Sequence, residues 1–291
     1  MRRALIAVLA VAIASSAASA QTKINRGLPL DATGAVRVYT STGSVKVTAW
    51  NRDSVVVRGT LGKGNSIHMG GGRNGMKMFI EGEDERNPAP SDIEVMVPPQ
   101  AKVWIKTATA GVDVKGVTGS LDIYVVSGDI RVNGNPADVN AEAIDGSITI
   151  VGSPAWVRAK SASGSVTLDG SSPDITMSTV SGKIDVDGSR FEKMKLESVT
   201  GIIRVAGSFL RGGLANFDTH GGSVEIAIPA GSPADFDIVS IAGTITNKLT
   251  KARPIAGRYG RGAELTTTSG EGGTRLVVRS FKGPVTLIAK D

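Results

Sequence analysis

Ser127-Gly128-Asp-Ile-Arg-Val-Asn-Gly134, Asp145-Gly146-Ser-Ile-Thr-Ile-Val-Gly152, Ser163-Gly164-Ser-Val-Thr-Leu-Asp-Gly170, Ser181-Gly182-Lys-Ile-Asp-Val-Asp-Gly188 and Thr200-Gly201-Ile-Ile-Arg-Val-Ala-Gly207 are five copies of one unit. The first glycines are spaced 18, 18, 18 and 19 residues apart, and a second glycine follows six residues after each. With 37 glycines in 291 residues, five phase-locked pairs are not chance. A fixed period near 20 residues marks a solenoid.

Within each unit the aliphatic residues alternate: Ile130/Val132, Ile148/Ile150, Val166/Leu168, Ile184/Val186 and Ile203/Val205. This is the period of a strand with one buried face. A second strand precedes each first glycine, with inward positions at Leu121/Ile123, Val139/Ala141, Val157/Ala159, Ile175/Met177 and Met194/Leu196. An even period of 18 residues places inward residue over inward residue, so like side chains stack at about 4.8 Å. The expected fold is all-β: a single-domain parallel β-solenoid, β-helix-like, with coils of about 18–21 residues. The first glycines are expected at corners that need positive φ. The residues just before them, Ser127, Asp145, Ser163, Ser181 and Thr200, are expected to bond turn backbone.

The period lengthens between Gly188 and Gly201, between Gly207 and Gly222, and between Ile226 and Phe236. Loops at the corner before the second strand are expected to absorb these insertions, and loops on a rigid scaffold are where binding tends to sit.

The N-terminus has a different character. Met1-Arg2-Arg3, the apolar run Ala4 to Ile13 and Ala18-Ser19-Ala20 read as a signal peptide over 1–20, cleaved before Gln21. The apolar run is too short to span a bilayer, which takes about 20 residues. The mature chain is therefore expected to be exported, to the periplasm, the cell surface or the medium, with no transmembrane segment after cleavage. Loss of Arg2 and Arg3 takes the formal charge from +6 to +4, which gives no basis for nucleic-acid binding. The domain is expected to run from 21 to 291, with irregular coils over 21–100, regular repeats over 101–207 and looser coils over 208–291.

In the irregular part, Ala35 to Tyr39, Thr42 to Thr48 and Ser54 to Arg58 read as opening coils. Residues 61–90 read as a hairpin excursion with a glycine-rich tip at Gly70 to Gly72 and a strand at Met76 to Ile80. Ser223 to Ile226, Phe236 to Ile241, Gly243 to Thr246, Ala263 to Thr268, Arg275 to Arg279 and Pro284 to Ile288 continue the coils to the C-terminus. No segment after the apolar N-terminus has a helical period.

Together, the leader, the Ile-x-Val-x-Val-Pro opening at Ile93 to Thr107, the repeats and the closing Ser280-Phe-Lys-Gly-Pro-Val-Thr-Leu resemble the bacterial putative-adhesin family of domains of unknown function. The likeness spans about residues 33 to 290. It implies an exported or envelope-facing β-solenoid and supplies no catalytic residue.

Chemistry-bearing residues are sparse. There is no cysteine, and the two histidines, His68 and His220, stand apart. Asp218 shares a strand face with His220, but no nucleophile elbow accompanies the pair, which reads as a corner. Asp169 and Asp187 are equivalent in adjacent coils, yet their other equivalents are Val151 and Ala206, and Ca²⁺ takes six to eight oxygens. They read as exposed aspartates. Asp185 and Arg204 are positioned to pair across coils. Gly70 to Gly72 lack the spacing of a phosphate-binding loop. Trp50, Trp104 and Trp156 are scattered and read as core-edge packing.

The feature with binding character is a run of Lys248, Lys251, Arg253, Arg258 and Arg261 with no carboxylate between them. It suits an anionic polysaccharide, lipid head groups or an envelope protein. The expectation is thus a non-catalytic structural or adhesion-type module without cofactor or metal. The competing readings are a carbohydrate-binding or weakly active relative of polysaccharide-processing β-helix enzymes, and an accessory of envelope-stress signalling.

Overall fold

The computed structural model describes residues 22–84, 86–258 and 260–290. The leader expected over 1–20 lies outside the described residues. Those described form 25 strands and no helix. The first nine are β1 (Thr22–Pro29), β2 (Ala35–Thr40), β3 (Gly43–Ala49), β4 (Ser54–Leu61), β5 (Ser66–Gly72), β6 (Gly75–Glu81), β7 (Ser91–Val97), β8 (Lys102–Thr107) and β9 (Gly111–Lys115). The regular coils comprise β10 (Ser120–Val125), β11 (Ile130–Asn133), β12 (Asp138–Ala143), β13 (Ile148–Gly152), β14 (Trp156–Ser161), β15 (Val166–Gly170), β16 (Asp174–Thr179), β17 (Ile184–Ser198) and β18 (Ile203–Thr219). The chain closes with β19 (Val224–Pro229), β20 (Ala234–Ser240), β21 (Ile245–Asn247), β22 (Ile255–Ala256), β23 (Ala263–Ser269), β24 (Arg275–Ser280) and β25 (Val285–Lys290).

Two parallel faces result, as the alternation requires. Face one stacks β6, β2, β8, β10, β12, β14, β16, β17, β18, β24 and β20. Face two stacks β7, β3, β9, β11, β13, β15, β17, β18, β19, β25 and β21. The long strands β17 and β18 turn from one face to the other and contribute to both.

The core is a set of side-chain ladders between the faces. On face two, Ile93, Val45, Val112, Ile130, Ile148, Val166, Ile184, Ile203, Val224, Val285 and Ile245 are successive rungs. All are buried. Burying one such side chain contributes about 1.5–3 kcal/mol, so a repeated rung supplies much of the driving force with little sequence variety.

The order of the rungs departs from the sequence at both ends. β2 and β3 lie between the β6/β7 coil, which follows them, and the β8/β9 coil. β24 and β25 likewise lie between the β18/β19 coil and the β20/β21 coil. The coils after Gly207 therefore do not continue in chain order. Nor is Ser54 to Arg58 an opening coil: β4 runs antiparallel against β7 and carries β1 antiparallel outside it. At the other end β23 covers β20 antiparallel, and β22 covers β23. Antiparallel covers shield edges that would otherwise recruit foreign strands. The expected excursion is a β5–β6 hairpin, with Arg73 and Asn74 at the turn and Gly70 to Gly72 ending its first strand.

Two local expectations change. First, Gly146, Gly164 and Gly182 do not need left-handed backbone; a Cβ on Gly164 would sit 2.0 Å from the Gly146 carbonyl oxygen of the coil below. Positive φ belongs instead to second glycines such as Gly152 (133°) and Gly170 (140°). Second, no loop absorbs the longer spacings after Gly188 and Gly207. β17 and β18 continue through with register shifts around Phe191, and the buried Phe191 ring meets Phe209 edge-on at 5.6 Å. A large apolar side chain thus fills the space that the wider coil opens.

Candidate binding surface

At several rungs the corner leaving face one is held by a buried hydroxyl three residues before the glycine, a position that Val125 and Ala143 occupy before Gly128 and Gly146. Ser161 Oγ donates to the Gly146 carbonyl at 2.8 Å and accepts from the Gly164 N–H at 2.9 Å. Thr179 and Thr219 accept in the same way from Gly182 and Gly222, both at 3.0 Å. The residues expected in this role contribute less: Thr200 Oγ1 donates to the Val180 carbonyl at 3.2 Å, and Ser163 bonds Asp145. With the hydroxyl turned in, the next residue must turn out.

At the C-terminal end this outward position holds Val199, His220, Phe281 and Ile241 on neighbouring rungs. They meet only because β24 is inserted between β18 and β20. The His220 and Phe281 rings stack at 4.8 Å, and the Phe281 and Ile241 N–H groups donate to the carbonyls of Thr219 and Ser280 at 3.0 and 2.9 Å. A recess of about 560 Å³ opens here, walled by Glu197, Asp218 and Arg279. Arg279 is engaged by Asp237 at 2.8 and 3.2 Å. That guanidinium holds the Asp237 carboxyl below its ordinary range, against the opposing effect of burial and with help from the charge of Arg275. Lys195 lies 2.8 Å from Glu197.

A second recess, also about 560 Å³, shares Val239, Ile241 and Phe281 with the first and is lined by Arg258, Arg261 and Glu264. The Arg258 N–H donates to Glu264 Oε1 at 3.1 Å, and Gly262, with φ 68°, packs its backbone against the Ser240 carbonyl. These contacts fix the loop over the end of β20. The five basic residues therefore fall into two groups. Arg258 and Arg261 enter the recess, whereas Lys248, Lys251 and Arg253 stand on a separate loop ordered by Asn247, which bonds Leu249, Thr250 and Ala252. All five are exposed, and among the described residues none is within salt-bridge distance of a carboxylate. The sequence brought together only Asp218 and His220; the rest of the apolar floor and the acidic wall could not be read from it, because their residues come from four separated segments.

Other candidates resolve simply. Asp169 and Asp187 are rung neighbours, but Lys290 Nζ sits 2.6 Å from Asp187 and neutralises it. Asp185 pairs with Arg204 at 3.0 Å and with Lys183. Burial raises the Asp185 carboxyl, and the two cations more than reverse this, leaving it below the ordinary range. His68 lies on β5, stacked on Phe79 at 4.6 Å and away from His220. Trp104 meets Tyr39 edge-on, Trp50 donates to the Ser54 carbonyl and packs under Arg52, and Trp156 is half-buried between Asp138 and Asp174. The three tryptophans form no common platform.

A family model described as Toastrack DUF4097 matches residues 35–272. No curated protein matches the chain. Among solved structures, the chain is similar to a putative adhesin from Bacteroides fragilis NCTC 9343, with 12% identity over 94% of this chain and 99% of that one and a TM-score of 0.45. It is also similar to a putative cell adhesion protein from Clostridium sporogenes ATCC 15579, with 8% identity over 92% and 100% of the respective chains and a TM-score of 0.22.

Proposed function

Because the chain belongs to the Toastrack DUF4097 family, we propose that it is a non-catalytic, exported adhesion-type module of the bacterial cell envelope that holds an anionic envelope component beside Arg258 and Arg261. The observation that carries this reading is the pairing of two exposed guanidinium groups with an apolar floor formed by Ile241 and Phe281. Guanidinium is weakly hydrated and presents a planar fork that matches carboxylate, sulfate or phosphate. The apolar floor favours a ligand that also has a hydrophobic surface, such as a sugar ring face. Lys248, Lys251 and Arg253 supply longer-range attraction from the adjoining loop, effective within a Debye length of about 8 Å at physiological salt.

The test is calorimetric titration with an acidic polysaccharide such as polygalacturonate, beside a neutral glucan, at low and physiological salt. Binding of the acidic polymer alone, weakening steeply with salt, is expected. Arg258→Gln with Arg261→Gln should weaken it about tenfold or more, and Lys248→Gln with Lys251→Gln and Arg253→Gln less. Equal binding of the neutral polymer, or no loss in the Arg258/Arg261 variant, overturns the assignment. Fractionation of producing cells tests export.

A further inference from the structure

The outward corner position carries an apolar row far longer than the recess. In rung order it reads Ala108, Val126, Ile144, Ala162, Val180, Val199, His220, Phe281 and Ile241. Val126 (38% exposed), Ile144 (48%), Val180 (51%), Val199 (44%), Phe281 (39%) and Ile241 (54%) account for six of the eleven large exposed apolar side chains among the described residues. No requirement of the fold puts them there. The buried residue beneath shapes the corner, a hydroxyl at most rungs and Val125 or Ala143 below Val126 and Ile144, and serine, threonine or lysine would serve as well at the tip.

We propose that two copies of this chain associate antiparallel along this row, about a two-fold axis between the Val180 and Val199 rungs. Reversing the row about that axis sets Val180 against Val199 of the second copy, Ile144 against Phe281, Val126 against Ile241, and the small Ala162 against His220. All six exposed apolar side chains are then covered. The flanking charges select this axis independently. Beside the row on face one run Lys106, Tyr124, Glu142, Lys160, Ser178, Glu197, Asp218, Arg279, Val239 and Glu264. Reversal pairs Lys160 with Asp218, Glu142 with Arg279 and Lys106 with Glu264. On the other flank it pairs Asp145 with Lys282.

Neighbouring axes do worse. An axis on Val180 sets Glu142 against Asp218, one between Ala162 and Val180 sets Glu142 against Glu197, and one on Val199 sets Lys160 against Arg279. An axis between Ile144 and Ala162 avoids like charges but leaves Phe281 and Ile241 in water. Self-complementarity under a two-fold is what an isologous dimer requires. Nine rungs at about 4.8 Å and a strip three residues wide, about 10 Å, give roughly 900 Å² buried in total over the two copies. That lies near the lower limit of specific interfaces, about 1,000 Å², so the association is reversible and concentration-dependent.

Sedimentation velocity on the purified chain from about 1 μM to about 500 μM, the range in which an interface near that limit associates, reads the equilibrium. Lys160→Glu and Asp218→Lys should each raise the dimer dissociation constant at least tenfold, because each like-charge contact occurs twice. The double variant should return towards the parent, which simple surface damage would not do. The chain has no cysteine, so a mixture of Ile144→Cys and Phe281→Cys chains should cross-link on oxidation while neither alone does. The proposal is overturned if the parent stays monomeric across the range, if the charge-reversed double variant is no better than the singles, or if Ile144→Cys links to itself. Avid capture of the monomer by phosphatidylglycerol vesicles, abolished by Ile144→Glu, would assign the row to lipid and likewise overturn it. Ile241 and Phe281 belong to both surfaces, so the acidic polysaccharide should compete with the dimer and raise its dissociation constant; calorimetry at concentrations where the chain is monomeric keeps the failure of either reading distinguishable from the other.

Discussion

Ile148 and Thr149 are adjacent residues whose side chains point to opposite worlds: Ile148 is wholly buried between Ile130 and Val166, while Thr149 stands half-exposed beside Arg131 and Thr167. Ile148→Asp places a charge in a stack that has no partner for it, and should cost more than about 4 kcal/mol or prevent folding. Thr149→Asp should shift stability by less than about 1 kcal/mol and can pair with Arg131. Urea denaturation of both variants checks this; comparable tolerance would refute the register. The assignment was legible in the sequence because the even period of 18 residues fixes which residue lies over which. The corner chemistry was less so. Ser161, Thr179 and Thr219 all precede their glycine by three residues, a regularity visible in the letters, but the hydroxyl next to the glycine was the simpler choice. What decides between them is burial: Ser161 ends a strand on the core side, shielded from solvent, and its hydroxyl pairs with the corner backbone.

At the scale of elements, the Asp237–Arg279 pair joins β20 to β24, two strands that are neighbours in space and far apart in sequence. The Asp237 carboxyl is held below its ordinary range by Arg279. A depressed carboxylate contributes stability that is fully present above its unfolded pKa, about 3.9, and is lost as pH falls through the lower folded value. Asp237→Asn should therefore destabilise the chain near neutral pH, by no more than about 1 kcal/mol since the pair is partly exposed. The difference from the parent should close in strong acid, below the lowered folded value, where the parent also loses the charge. Urea midpoints at both pH values read this, and a deficit that persists in acid would mean the residue acts through packing. The position of this pair could not be read from sequence, because a coil's alternation states that it stacks but not on which neighbour. β17 and β18 show the same limit: their extra residues looked like loops, yet Phe191 offered enough apolar surface to keep the strand continuous through the corner.

For the whole molecule, insertion of β24 and β25 below the β20/β21 coil makes the chain's last coil an internal layer rather than an end. In a rod stacked in sequence order, each repeat contacts only its neighbours, and removing the last shortens the rod by one unit. Here a chain ending at Thr274 would remove the layer on which β20 and β21 rest. It would leave β20 with only its antiparallel neighbour β23, and Phe236, Ile238 and Ile245 without the rungs Leu276, Val278 and Val285 beneath them. The loss should spread to residues 230–274 and loosen the face-one part of β18, which loses its neighbour β24, while the β8 to β17 coils stay folded, since their rungs and corners are untouched. Hydrogen exchange should show full amide exposure from Gly231 onwards beside native protection at Ile148 and Val166, a local opening rather than global unfolding. Native protection over β20 in the truncated chain would mean that its coil can settle directly on β18 and β19, and that the out-of-order layer is dispensable. The recess with Arg258 and Arg261 depends on Phe281 from this same layer, so truncation should also abolish binding of the acidic polysaccharide even where the basic loop is intact.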